Sequence, residues 1–460
     1  MDSSIKDLYF LDDGRQLHCS ETVRLLPGKR RASIGTLEGR PVFVKCFLDQ
    51  KRGQVHWQRE LNGIKAFWDR GILTAELLYV GQEAEHGWPL IVLAQIPDPI
   101  SLKDAWQLGD DARREHLLRE MVSLLAQHHR AGLRQTDLHL DNFVLSQGEI
   151  FSLDGAGVTD NDSELGLADS LENIALLIAQ LHPEWEAQIS NLYDQYFAER
   201  DWSGGPGYVD LLKSVGRWRK RRWREHQGKL LRECTDFVCR QEQGRFEVIA
   251  RSALNPAMES LLAAPDSSFP GKEWALKNGN TCTVWATNVN DLSLVIKRYN
   301  VKGSWHGLKL ATRKGRAFRS WENAHRLVFY GIATPHPVAL VKIKHGLLKP
   351  MSYFIAEQVD GVGAQEWFRD ESISWTAKIA MAEKINQLLL QLEAQRISHG
   401  DLKASNILIV GDRPVLIDLD AMQQHASTTS FRKSWGKDLR RFMRNWDDAP
   451  DLKELFAKVG

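Results

Sequence analysis

Residues 135–155 read QTDLHLDNFVLSQGEIFSLDG, and residues 399–419 read HGDLKASNILIVGDRPVLIDL. In each, an Asp is followed five positions on by an Asn and 17 positions on by a second Asp: Asp137, Asn142 and Asp154, then Asp401, Asn406 and Asp418. The apolar residues between them fall in matching places, so the chain carries an internal repeat. Apolar residues at helical spacing precede both copies: Met121, Leu124, Leu125 and His128, then Ile385, Leu388, Leu389 and Leu392. After each Asn, short apolar runs (143–145 with 150–153, and 407–410 with 415–417) read as strand pairs joined by polar turns. Both acidic clusters are therefore expected where a helix gives way to a loop and a β-hairpin.

A second shared pattern lies upstream. Val42-Phe43-Val44-Lys45 and Leu294-Val295-Ile296-Lys297 are apolar strands ending in Lys, each followed by a helical segment containing a Glu, Glu60 and Glu322. Gly71-Ile72-Leu73-Thr74 and Gly331-Ile332-Ala333-Thr334 come next. The order strand, Lys, helix, Glu, strands, helix, Asp-loop, hairpin, Asp thus occurs twice. Residues 255–271, with Pro256, Pro265, Pro270 and the pair Ser267-Ser268, suit a linker. This predicts an α+β chain with domains at 1–254 and 272–460, each a small β-rich lobe and a mainly helical one.

Composition limits the function classes. With 43% hydrophobic and 26% charged residues the chain reads as globular and not as a disordered tail. A net charge of +1 gives no bulk steering toward nucleic acid, which is not expected as a partner. Five scattered cysteines without C-x-x-C spacing fit a reduced cytoplasmic compartment. The opening MDSSIKDLYFLDDGRQ lacks the apolar stretch of a signal peptide, and no run of 18 apolar residues occurs, so secretion and membrane spanning are not expected.

The repeated residue types suit phosphoryl transfer from ATP, which asks for charge placement more than covalent chemistry. A strand Lys (Lys45, Lys297) can hold phosphates and a helix Glu (Glu60, Glu322) can orient that Lys. A loop Asp (Asp137, Asp401) can receive the acceptor hydroxyl's proton. The Asn and the later Asp (Asn142 with Asp154, Asn406 with Asp418) offer hard oxygen ligands to Mg²⁺.

This arrangement resembles the protein-kinase-like fold, present as two tandem domains. His399-Gly400-Asp401-Leu402-Lys403-Ala404-Ser405-Asn406 is similar to the catalytic loop H-R-D-L-K-x-x-N, with Gly in place of Arg. The resemblance implies Asp401 as catalytic base, Lys403 as a contact to the transferred phosphate, and Asn406 and Asp418 as metal ligands. The first copy departs further, with Gln135 where His is usual and His139 at the position of Lys403, as in small-molecule kinases. Neither copy has a full G-x-G-x-x-G loop, and the turns near Gly28 and Gly279 are the candidate covers.

Within that fold, the string G-I-x-T-P-x-P-V-A at 331–339, the compact loop and the short remainder after Asp418 most resemble the lipopolysaccharide kinase (Kdo/WaaP-like) family. The resemblance implies a kinase for a sugar hydroxyl, a heptose, of the lipopolysaccharide core glycolipid. A Ser/Thr-type protein kinase and a scaffold with one catalytically lost domain are the competing readings. Two basic-aromatic segments, 217–224 and 437–446, add cations near both copies. Leu439, Phe442, Met443 and Trp446 fall on one helical face. That face could lie on the anionic inner-membrane surface or belong to a packed helix. Trp218, Trp223, Trp435 and Trp446 are the rings expected to meet sugar faces if the segments bind substrate.

Overall fold

Arg30–Leu37 and Arg40–Phe47 alternate buried and open positions along their length, the period of a half-covered strand. Between them Glu38 and Gly39 both adopt left-handed φ, +51° and +80°, which closes a tight hairpin pairing Leu37 with Arg40. The computed structural model describes residues 8–203, 205, 207–279, 281–300, 315–345 and 349–457. These fall into two units, residues 1–181 with 185–219 and residues 182–184 with 220–460.

In the first unit this hairpin sits inside a six-stranded antiparallel sheet. The order is Leu8–Phe10, Gln16–Leu26, Arg30–Leu37, Arg40–Phe47, Pro89–Ala94 and Leu77–Gln82. The helix Gly53–Asp69 follows the Lys45 strand and buries Leu61, Ile64 and Phe67. The helical part is built on Asp111–Arg130, Leu167–Ile178 and Ile189–Glu199. Leu118, Val122, Leu125, Ile174, Leu177 and Tyr196 form its core.

The second unit repeats that plan on a seven-stranded sheet. Its order is Phe237–Glu242, Arg245–Ala250, Pro337–His345, Lys349–Glu357, Leu292–Tyr299, Cys282–Val289 and Lys277–Asn278. In both units the Lys-bearing strand pairs with the second of the two hairpin strands that follow the helix: Lys45 opposite Ile91, Lys297 opposite Phe354. The helices Arg316–Phe329, Trp375–Ala394 and Thr428–Met443 carry the core residues Leu327, Ile385, Leu389, Phe431 and Phe442.

The expected boundary at 255–271 is corrected by the packing. Asn255 caps a helix, Pro256–Ala263, accepting from Met258 N, and Met258, Leu261 and Leu262 are buried in the core of the second unit. The hairpin 237–250, assigned from sequence to the first domain, pairs with Pro337–His345 of the second unit's sheet. The division falls instead at 219/220, within the helix Tyr208–Gln227.

Candidate functional site

The loop after Trp375–Ala394 is set by hydrogen bonds that the sequence makes locally. Asn406 Nδ2 donates to the Asp401 carbonyl at 2.8 Å, and Asn406 N donates to the Lys403 carbonyl at 2.9 Å. The amide is thus turned so that its Oδ1 stays available as a hard oxygen donor. Ile417 N donates to the Asn406 carbonyl at 3.0 Å, which places Asp418 one residue beyond the hairpin. Buried His399 donates through Nε2 to the Ile417 carbonyl at 3.0 Å, tying the Asp401 loop to the Asp418 strand. Burial holds the His399 pKa below the ordinary imidazole value, so the ring is neutral at pH 7.

Asp418 adopts φ +63°, a left-handed conformation that costs a non-glycine residue free energy and is typical of functional positions. Its carboxylate pairs with Lys297 and lies 3.8 Å from Lys277. Burial raises the Asp418 pKa, but the Lys297 charge and hydrogen bond outweigh it and hold the group below the usual carboxylate range. Burial likewise opposes the Lys297 charge. Tyr299, Asp418 and Asp420 together outweigh it and keep the ammonium's pKa above its ordinary value. Asp401, with about a third of its side chain exposed, pairs with Arg441 and with Lys403 at 3.1 Å.

The first unit repeats these bonds. Asn142 Nδ2 donates to the Asp137 carbonyl at 2.7 Å, Asn142 N to the His139 carbonyl at 2.9 Å, and Leu153 N to the Asn142 carbonyl at 2.9 Å. Thr74 Oγ1 donates to Ser152 O at 2.6 Å, as Thr334 Oγ1 does to Leu416 O at 2.8 Å. Lys45 pairs with Glu60 and donates to the Leu153 carbonyl at 3.1 Å. Burial raises the Glu60 pKa against the opposing pull of Lys45, whereas Lys45 and Glu60 outweigh burial at Asp154 and lower its pKa. Asp137 lies 3.0 Å from His139 Nε2.

In each unit these groups open on a cleft. The second unit's cavity, about 580 Å³, brings Lys297, Asn406 and Asp418 together with Val284, Val295 and Ala356 and with Leu408 and Ile417, and residues 357–361 complete its lining. Apolar walls above and below suit a flat ring, and the polar groups gather at one end, where the donors fit phosphates and a divalent cation. The first unit's cavity joins Lys45, Asn142 and Asp154 but measures about 340 Å³. Phe43 and Leu93 occupy the cross-strand positions held by Val295 and Ala356 in the second unit, and their bulk narrows the space.

One sequence-derived site residue is misplaced. Glu322 does not meet Lys297: it accepts from Gln227 at 2.5 Å and pairs with Arg326 at 2.9 Å. Glu60 lies eleven positions before Gly71, and eleven before Gly331 stands Ser320, so counting back from the helix-ending glycine would have shown that the second copy lacks the Glu. The Trp rings expected at sugar faces are packed against the protein instead, Trp218 only in part. Trp223, Trp435 and Trp446 are buried, the last against Phe368, Phe442 and Phe456, and Trp218 donates to Glu172 at 2.7 Å. Buried aromatics of this size anchor a core. Asp438, the one acid of segment 437–446, was missed. It is buried and accepts from Gly400 N at 3.0 Å and Leu402 N at 3.5 Å, fixing the Asp401 loop from below.

Lys297, Asp401, Lys403, Asn406 and Asp418 all lie in a stretch with an independent match. Residues 273–456 match the model of the Lipopolysaccharide kinase (Kdo/WaaP) family. The second unit is a phosphotransferase unit of kinase type, with an alcohol group as acceptor. The match to the lipopolysaccharide kinase family takes in nearly all of the second unit's cleft and helices and none of the first unit's. No curated protein matches the chain. Among the described residues, no helix is long and apolar enough to cross a membrane.

Proposed function

We propose that the chain is two tandem kinase-like domains, the second of which transfers the terminal phosphoryl group of ATP to a heptose hydroxyl of a lipopolysaccharide inner-core glycolipid. The observation that carries this reading is the convergence of Lys297, Asn406 and Asp418 on one cleft inside the stretch that matches the lipopolysaccharide kinases. Lys297 holds phosphate oxygens at the end of the cleft. Asn406 and Asp418 hold Mg²⁺, which when bound neutralises phosphate charge. Asp401 takes the acceptor's proton, and Lys403 beside it contacts the phosphoryl group in transfer. The first domain's matching loop bonds support the tandem reading.

Cations surround the acceptor side. Arg441 touches Asp401, and Lys437, Arg440 and Arg444 are exposed on the same C-terminal segment. A cationic rim suits an acceptor that carries phosphate or carboxylate groups, which Arg pairs bidentately. The same exposed charges support peripheral attachment to the anionic cytoplasmic face of the inner membrane, each worth on the order of 1 kcal/mol. The aromatic rings of that segment contribute to the core and not to the membrane contact.

The test is to incubate the full chain with labelled ATP and Mg²⁺ and either core glycolipid, dephosphorylated core or a panel of proteins. Label on a core heptose is expected, with Asp418→Ala abolishing metal-dependent nucleotide binding to the second domain. Label on protein Ser or Thr with none on core sugar would make the chain a protein kinase. Lys437, Arg440 and Arg444 changed together to Gln should weaken association with anionic liposomes.

A further inference from the structure

Glu60 and Ser320 stand at the same place, eleven positions before the glycine that follows each helix, yet only one is a carboxylate. A lysine that grips phosphates in a dry cleft needs a fixed anion to aim it. In the first unit Glu60 supplies that anion. In the second, Ser320 is bonded to the Tyr299 hydroxyl at 2.6 Å, and residues 301–319 contain no Asp or Glu.

The physical reason lies in how each helix meets its Asp-loop. In the first unit the two backbones touch at Gly63 and Gly155, where a Cβ on Gly63 would lie 1.9 Å from the Gly155 carbonyl oxygen. In the second unit, Asn323 and Leu419 stand at these places. Asn323 Nδ2 bridges helix to loop, donating to the carbonyls of Leu419 and Met422, both at 2.9 Å. A whole side chain thus spaces the helix off the loop, and the carboxylate comes from the loop instead. Asp420, 6% exposed, lies 3.6 Å from Lys297 Nζ. It is gripped by Arg316 of the helix, Nε at 2.8 Å and Nη2 at 2.6 Å. The Tyr299 ring lies alongside both cations, its centre 5.1 Å from Lys297 and 4.9 Å from Arg316.

We propose that Asp420 is the positioning residue for Lys297, doing from the loop what Glu60 does from the helix, with Arg316 holding it in place. The helix thereby contributes a cation to the pair where the first unit's helix contributes an anion. This inference rests on reading the second unit's cleft as a nucleotide site. Asp418 remains free to serve the metal, because Lys297 keeps a second carboxylate when Asp418 turns to other ligands.

Steady-state kinetics and equilibrium MgATP binding on the full chain test it. Asp420→Asn should lower kcat/KM for ATP by roughly 10- to 100-fold, the size of effect seen when an outer group orienting a functional one is removed. KM for the acceptor should stay unchanged, and Asp420→Glu should recover much of the loss. Because Asp420 acts through Lys297, Lys297→Met with Asp420→Asn should be no worse than Lys297→Met alone. Arg316→Gln, at a partly exposed position, should reproduce the defect more weakly and covers the case in which Asp420→Asn fails to fold. Unchanged kcat/KM for ATP in both single variants would overturn the proposal. So would independent, multiplying losses in the double variant, or a raised Mg²⁺ requirement as the sole defect, which would make Asp420 a metal ligand. Failure of the parent chain to bind MgATP would instead sink the nucleotide-site reading.

Discussion

Arg441 donates to the Asp401 carboxylate and, at 3.3 Å, to the Gly400 carbonyl, so one guanidinium holds both the side chain and the backbone of the Asp401 loop. Lys403 meets the other Asp401 oxygen. The carboxylate is therefore held by two cations, and neither of them lines the cleft that holds Lys297, Asn406 and Asp418. Asp401→Asn should lower turnover by roughly 10²- to 10⁴-fold, the usual worth of a general base. MgATP affinity should be unchanged in that variant. Arg441→Gln should lower kcat by a smaller factor, again without weakening nucleotide binding. Single-turnover rates set beside equilibrium binding would separate the two effects.

The narrower cleft of the first unit makes a second prediction. Phe43 in place of Val295 and Leu93 in place of Ala356 reduce the space where a base would lie, although Lys45, Asn142 and Asp154 are all present. In the Asp418→Ala chain, where the second site is disabled, residual MgATP binding should be weak. Phe43→Val added to that chain should strengthen it about 5- to 100-fold, since one relieved overpacking contact is worth about 1–3 kcal/mol. Calorimetric titration of the two variants checks this. Wild-type affinity already present in Asp418→Ala would refute the steric argument.

Acid should weaken the chain well above the range where carboxylates protonate. Burial pushes the pKa of His128 down to about 3 and that of His129 to about 4. Each ring has a hydrogen-bonding partner: Ser152 Oγ 3.2 Å from His128 Nε2, and Tyr196 Oη 2.7 Å from His129 Nδ1. An unfolded imidazole titrates near 6.5, so below that pH the unfolded chain binds more protons and stability falls as pH falls. The slope approaches about 1.4 kcal/mol per pH unit for each histidine. Denaturant midpoints should therefore drop between pH 7 and pH 5, and His129→Gln should flatten the drop in the transition reporting the first unit.

What could be read from sequence follows what chemistry fixes. The Asp, Asn and Asp spacing was legible because one hydrogen-bonded loop and one hairpin must join the same three groups, and Asn142 and Asn406 make the same bonds. Glu322 misled because it is the one acid of the helix Arg316–Phe329, although it stands nine positions before Gly331 where Glu60 stands eleven before Gly71, and the packing at Asn323 shows how the second helix stands off its loop. The stretch 255–271 misled because Pro256 is equally at home in a linker and at the first turn of a helix. The face of Leu439, Phe442, Met443 and Trp446 has one periodicity for membrane and core alike. Its contact with Phe368, distant in sequence, and with Phe456 decides for the core.

The last prediction concerns the glycine pair that lets Glu60 reach Lys45. A Cβ on Gly63 would meet the Gly155 carbonyl oxygen at 1.9 Å, and a Cβ on Gly155 would meet the Glu60 carbonyl oxygen at 2.4 Å and Ile64 N at 2.6 Å. All of these are backbone atoms, which cannot swing aside as the end of a long side chain can. Neither glycine has a positive φ among those that do, so the requirement is close approach and not left-handed geometry. Gly63→Ala must push the helix Gly53–Asp69 off the Asp154 loop, as the Asn323 side chain does in the second unit by design of its sequence. Glu60 would be drawn back, leaving Lys45 to Asp154 and its buried carboxylate short of a partner, a situation that costs several kcal/mol. The expected outcome is a fall in thermal stability of the first unit with the second unit's nucleotide binding intact. The matching change Asn323→Ala should act in reverse on the other unit, disturbing the loop that carries Asp418 and Asp420 and lowering its MgATP affinity. Paired thermal melts and binding titrations of the two variants would show it, and an unaffected Gly63→Ala chain would refute the close-approach argument.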